Sequence, residues 1–220
     1  MTRKLLLIHP MDSTTKFLLD PVSFFRDNIS DEQLDLHILE PTQESHQKCF
    51  DALKAKKYDI IFFLGHGSSG GVQGSSGETF ECVQFLSLDD LKGLEEKSAI
   101  FLSCNSGDFL KKSEMAHIGF GFMPTDWKDI QSAREVEHKA YEGVTEEDIE
   151  SYRKNLTEIL KKPILKLLAD SSYTMQNCYN DILLLVNRSI ALTYKDLKRP
   201  ALAYLMFELK QDLVLRLSKS

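Results

Sequence analysis

No C-x-x-C pair occurs among the four cysteines, Cys49, Cys82, Cys104 and Cys178. Scattered singly, they form neither a structural zinc site nor a disulfide framework, and a reducing, cytoplasmic setting is the expectation. Basic residues are outnumbered, with 27 Lys and Arg against 33 Asp and Glu and a net charge of −6. No Lys/Arg stripe interleaved with aromatics interrupts that acidity, so binding along a nucleic-acid backbone is excluded. No apolar run approaches the length of a membrane span, so no membrane partner is expected. The opening MTRKLLLIHP is basic and then apolar, but its apolar part is only four residues and no small-residue cleavage site follows. It reads as a first strand rather than a signal peptide. Internal repeats are absent, and low complexity is confined to the Gly/Ser loop at 67–77.

What is present is an alternation. Hydrophobic residues make up 42% of the 220 positions, enough for one full core, with or without a helical extension. Strands are predicted at 4–9, 34–39, 59–64, 98–103 and 117–123, and a weaker edge strand or hairpin at 79–86. Helices are predicted at 17–28, where Pro21 must start or break the helix, at 43–57, and at 87–97 with Ser87 as N-cap and Asp90 in its first turn. The runs at 59–64 and 98–103 are almost wholly apolar, as strands buried on both faces are. This β-α-β order predicts an α/β domain with a mostly parallel central sheet covered by helices on both faces.

Beyond residue 125 the pattern changes. Residues 125–143 read as an exposed connection, with Trp127 as its anchor. From Val144 the spacing is helical almost throughout. Thr145 and Asp148 form a capping pair, and Ile149, Tyr152, Leu156, Ile159 and Leu160 make one apolar stripe. Pro163 is expected to kink or restart this helix, and further helices are predicted at 173–194 and 200–217. Their wide apolar faces predict packing on the same core as residues 1–125.

Where the 59–64 run ends, the sequence reads GHGSSG, residues 65–70. The letters match the G-x-G-x-x-G of a dinucleotide-binding turn. That turn needs a helix opening at the third glycine, and GVQGSSGETF is no helix start. Asp89 and Asp90 stand at the right distance for a ribose-binding acid, but within a predicted helix. The alternative is that His66 is a base at the carboxyl end of a strand. A nucleophile should then stand at the end of a neighbouring strand, and SAIFLS runs straight into Cys104-Asn105-Ser106-Gly107. Gly67 can bring its amide close because it carries no side chain, and the Cys104 amide is the natural second donor to an oxyanion.

His-Gly after one hydrophobic strand and Cys after the next resembles the caspase-like cysteine peptidases of clan CD. That group includes caspases, metacaspases, legumain, gingipains, separase and the bacterial CHAT-type proteases. GHGS at 65–68 and C-x-S-G at 104–107 carry the resemblance, and Cys104-Asn105-Ser106-Gly107-Asp108-Phe109 is most like the gingipain C-x-x-G-D-F. The likeness covers residues 1–125. His66 and Cys104 are 38 positions apart, against about 50 in caspases. The caspase string Q-A-C-[RQG]-G and the metacaspase acid before the cysteine are both missing.

The resemblance implies a caspase-like three-layer α/β fold at 1–125, with residues 126–220 as a C-terminal helical part. It implies a cysteine endopeptidase acting on protein or peptide substrates, with Cys104 as nucleophile, His66 as acid and base, and the Gly67 and Cys104 amides as oxyanion hole. No third catalytic acid, metal or organic cofactor is implied. Asp12 and Ser13, in the loop after the first strand, are the candidates to read a substrate side chain, and loop 68–77 the candidate flap. Gating by an activating protein partner, or by self-cleavage within 125–143, is expected of a regulated microbial effector. Two other classes stay open: a catalytically silent scaffold of the same fold, and a nucleotide-binding α/β protein. Cys49, Cys82 and Cys178 are assigned to packing. His9, at the end of the first strand, is a core or a pocket residue.

Overall fold

A computed structural model describes residues 3–218. Five parallel strands form most of one sheet: β1 (Leu5–Pro10), β2 (Leu34–Leu39), β3 (Ile60–Leu64), β6 (Ser98–Leu102) and β7 (Ala116–Gly119). A sixth, β8 (Val214–Arg216), pairs antiparallel with β7, giving the order β2-β1-β3-β6-β7-β8. A two-stranded hairpin, β4 (Gly67–Ser68) and β5 (Gly71–Val72), stands apart beyond the end of β3. The chain is therefore α/β with a mostly parallel six-stranded sheet.

Alternate residues of the central strands feed two separate cores, as the pleat requires. Leu5, Leu7, Ile60, Phe62, Leu64, Ile100 and Leu102 face one way. They pack under α1 (Leu19–Asn28), α5 (Glu146–Ala169), α6 (Met175–Ala191) and α7 (Pro200–Gln211). Leu6, Ile8, Ile61, Phe63, Ala99 and Phe101 face the other way. They pack under α2 (Gln43–Ala55) and the short α3 (Ser106–Leu110). Residues of β1, β3 and β6 are buried on both faces, which is why they read as continuous apolar runs. The edge strand β2 is half-exposed and carries the charge of Asp35 outward, bonded to His37 at 3.0 Å, which blunts edge pairing.

The capping pair at Thr145 forms. The Thr145 hydroxyl accepts from the Asp148 amide at 3.2 Å, and Asp148 Oδ2 accepts from the Thr145 amide at 3.1 Å. Buried Asp148 also accepts from Arg199 Nε and Nη2 at 2.9 and 2.6 Å, tying the start of α7 to the start of α5. Several expectations need correction. Pro163 does not restart the helix, because α5 runs as one element from Glu146 to Ala169. Residues 125–143 contain α4 (Trp127–Val136), opened by an Asp126–Asp129 capping box. The predicted helix 200–217 stops at Gln211, and its last residues become β8 on the free edge of β7. Residues 79–86 form no strand, only the isolated bridges Gly77 to Phe80 and Val72 to Leu86. The predicted helix 87–97 is one short turn at Asp89–Leu91. For β8 the tertiary partner, the free edge of β7, decided the element.

The C-x-S-G string has a structural side. The Ser106 hydroxyl donates to the Phe101 carbonyl at 2.7 Å and accepts from the Phe120 amide at 2.9 Å, stapling the turn after β6 to the end of β7. Gly107 and Gly119 meet backbone to backbone, and a β-carbon at 119 would lie 2.6 Å from the Gly107 nitrogen. Gly119→Ala is therefore expected to lower stability by about 1–3 kcal/mol through overpacking. Urea unfolding of the variant measures it, and an unchanged midpoint would refute this account of the contact.

Candidate active site

Strand order reverses between β1 and β3, since the chain moves from β1 to β2 on one side and then to β3 on the other. Open α/β sheets hold their sites at the carboxyl ends of strands beside such a switch. The loops leaving β1, β3 and β6 converge there. Leu64 of β3 is in register with Leu102 of β6, so His66 and Cys104 each stand two residues beyond a paired position.

His66 is half-exposed and meets the loop after β1. Its Nε2 lies 2.8 Å from Thr14 Oγ1 and 3.3 Å from Asp12 Oδ1. The Thr14 hydroxyl and amide both reach Asp12 Oδ1, at 2.5 and 2.7 Å. A carboxylate only accepts, so the single Thr14 hydroxyl proton goes to Asp12, and His66 Nε2–H is the donor to Thr14. That leaves Nδ1 as the basic nitrogen. Burial pushes the Asp12 carboxyl up, but the bonds from Thr14 and His66 outweigh it and hold it below the usual carboxylate range. Asp12, expected to read substrate, thus faces His66, while Ser13 beside it is exposed. Thr14 was missed, although Asp-Ser-Thr directly after a strand is an Asx-turn signature. Beneath the site, buried His9 bonds the Leu64 carbonyl through Nδ1 at 2.9 Å, and burial lowers its pKa. It is a core residue that props the end of β3.

Cys104 follows β6 directly, and Asn105 after it adopts a left-handed conformation (φ 56°) that turns the chain into α3. A non-glycine residue at positive φ marks a tight turn of the kind that presents a nucleophile. The Cys104 thiol donates to the Met123 carbonyl at 3.4 Å, and no hydrogen bond joins it to His66 among the described residues. Burial pushes the thiol up, and the charge of Asp129 adds to this. In this resting arrangement Cys104 is a protonated thiol. Cys49 and Cys178 are fully buried, both pushed up to about 12 by burial.

Two amides expected to hold an oxyanion, those of Gly67 and Cys104, lack a backbone acceptor among the described residues. The Gln73 amide donates to the His66 carbonyl at 3.0 Å, which makes Gly67–Val72 the non-hydrogen-bonded pair of the hairpin. The Gly67 N–H therefore points away from β5. The Cys104 N–H has no backbone acceptor among the described residues. A β-carbon at 67 would lie 2.6 Å from Ser103 Oγ and 3.1 Å from the Cys104 carbonyl. Ser103, 1% exposed, keeps a hydroxyl with no hydrogen-bond partner beneath this crossing.

The chain leaving Gly70 enters β5, not a helix, so the pyrophosphate cradle of a dinucleotide site is missing. The loop expected as a mobile flap bonds to its neighbours at both ends. Lys112 Nζ holds the Ser69 carbonyl at 2.7 Å, and Ser75 Oγ holds the Met11 carbonyl at 2.7 Å. His46 accepts the Ser75 amide at 3.0 Å. No cluster of His, Cys, Asp or Glu that could hold a metal ion occurs among the described residues, and none of their helices is long and apolar enough to cross a membrane. No protein-family model matches the chain, and no curated protein matches it.

A protonated, half-buried thiol makes a kinetic prediction. Iodoacetamide should alkylate Cys104 in the folded protein more slowly than free cysteine at pH 7. The rate should climb only above the ordinary thiol range of about 8.5. Mass spectrometry of the labelled peptide follows the reaction, and fast labelling at neutral pH would contradict the resting state described.

Proposed function

We propose that the chain is a caspase-like cysteine endopeptidase that hydrolyses peptide bonds through an acyl-enzyme. The carrying observation is the placement of His66 and Cys104 two residues beyond the Leu64–Leu102 register pair, with the free Gly67 and Cys104 amides between those strands. Substrate binding turns the Cys104 thiol from the Met123 carbonyl toward His66. Nδ1 of His66 accepts the thiol proton as sulfur attacks the scissile carbonyl. The oxyanion takes the Gly67 and Cys104 amides as donors. His66 then protonates the leaving amine, the C–N bond breaks, and water hydrolyses the thioester with His66 again as base. Asp12 and Thr14 are positioning residues that hold the ring in the Nε2–H tautomer and steady the imidazolium, much as an orienting acid does in hydrolytic triads.

A second reading is a binding module of the same fold. The neutral thiol bonded to Met123, away from His66, favours it. The two readings separate on a proteome-derived peptide library. The wild type should cut with one preferred residue before the bond, and Cys104→Ala and His66→Ala should not cut. Asp12→Asn should lower kcat on the order of 100-fold with KM little changed, because acid–base catalysis contributes about 10²–10⁴-fold and depends on the tautomer. No cuts from the wild type, together with no labelling of Cys104 by a peptidyl chloromethyl ketone, would leave the binding module.

A further inference from the structure

Beyond β7, on the side of Cys104 away from His66, lies a cavity of about 500 Å³. Phe122, next to the Met123 that holds the Cys104 thiol, is one wall, and the end of α4, the turn at 137–142 and α7 are the others. Its apolar surface is unusually open to solvent: Val136 is 91% exposed, Tyr204 48% and Phe122 39%. Three carboxylates line it, Glu137, Glu142 and Glu208, against one cation, Lys139. None of these four makes an ion pair among the described residues. The Arg134 guanidinium stands at the edge of this cavity, bonded to carbonyls of two residues that line it. It donates to the Ala140 and Tyr141 carbonyls at 3.2 and 2.9 Å and lies over the Trp127 ring. The negative field also reaches the cavity floor. Burial pushes the Tyr141 hydroxyl up to about 12, with Glu208, Tyr204, Asp212 and Asp129 adding to the shift. A second cavity continues the groove, sharing Glu142 and Tyr204, and there Arg199 pairs with Glu147 at 3.4 Å and with Asp148 at 2.6 Å.

The Tyr204 hydroxyl bonds Glu208, and Lys139 and Arg134 stand against the three carboxylates, so one negative charge is left over. Apolar walls with that excess complement one kind of side chain, a long aliphatic stem with a cationic head. We propose that this cavity docks a lysine or arginine side chain of the protein substrate, with the neighbouring residues running along the second cavity. The identity of the partner as a substrate rests on the peptidase reading, whereas docking itself is measurable without turnover. The net charge of −6 would draw such a segment in.

The test uses full-length Cys104→Ala and fluorescein-labelled Ala/Gly octapeptides that differ only in two central residues, Arg-Arg, Gln-Gln or Asp-Asp. Fluorescence anisotropy should show the Arg peptide binding at least about tenfold tighter than the Gln peptide, with the gap closing as NaCl rises from about 50 to about 500 mM. The gap should vanish in Glu137→Gln/Glu142→Gln/Glu208→Gln, whose changes lie on the surface and leave the core intact. Equal binding of the Arg and Gln peptides, or a preference that survives the triple change, overturns the proposal. Cleavage of neutral peptides without any basic preference would remove the docking site and leave the peptidase. Basic-selective binding without cleavage by the wild type would remove the peptidase and leave the docking site.

Discussion

A β-carbon at position 67 would lie within 3.1 Å of both the Ser103 side chain and the Cys104 carbonyl, so the loop leaving β3 can cross the turn leaving β6 only as glycine. That crossing sets the spacing between His66 and Cys104 and turns the Gly67 amide away from its hairpin partner. Parallel pairing supplies the rest. The Leu64–Leu102 register fixes where both loops begin, and the residues beneath them are fully buried on both faces. A packed interior resists small displacements, so the turn at Asn105 is held in its left-handed conformation by the sheet below.

Around this crossing the electrostatics are asymmetric. On the β1 side, bonds from Thr14 and His66 keep Asp12 ionised. On the β7 side, burial and Asp129 keep the Cys104 thiol neutral. The two groups that would exchange a proton are each held by a different neighbour, His66 by the loop after β1 and Cys104 by the loop after β7. The same Phe122–Met123 segment that holds the thiol also walls the acidic cavity.

The strands carried the plainest signal in the sequence. Continuous apolar runs marked β1, β3 and β6 to within a residue or two, because strands buried on both faces have no polar side to show. Thr145 and Asp148 marked the start of α5, because a capping box is local chemistry. Pro163 starts no new helix, since α5 continues through it. Strand β8 was hidden because three residues become a strand only when an edge is present to pair with, and α4 was masked by the charge of segment 125–143.

For the candidate site, the sequence by itself determined the chemistry on offer: His66 between two glycines after one buried strand, and Cys104 after another. Only the tertiary structure decided which groups face them. Strand order brought the β1 loop beside β3, so Asp12 and Thr14 reach His66 across more than fifty positions of chain. It also brought the loop after β7 over Cys104 and left the carboxylates of the 137–142 turn and α7 around one cavity. Residue type and local spacing are written along the chain. Proximity between distant loops, and with it burial and charge, exists only once the sheet is assembled.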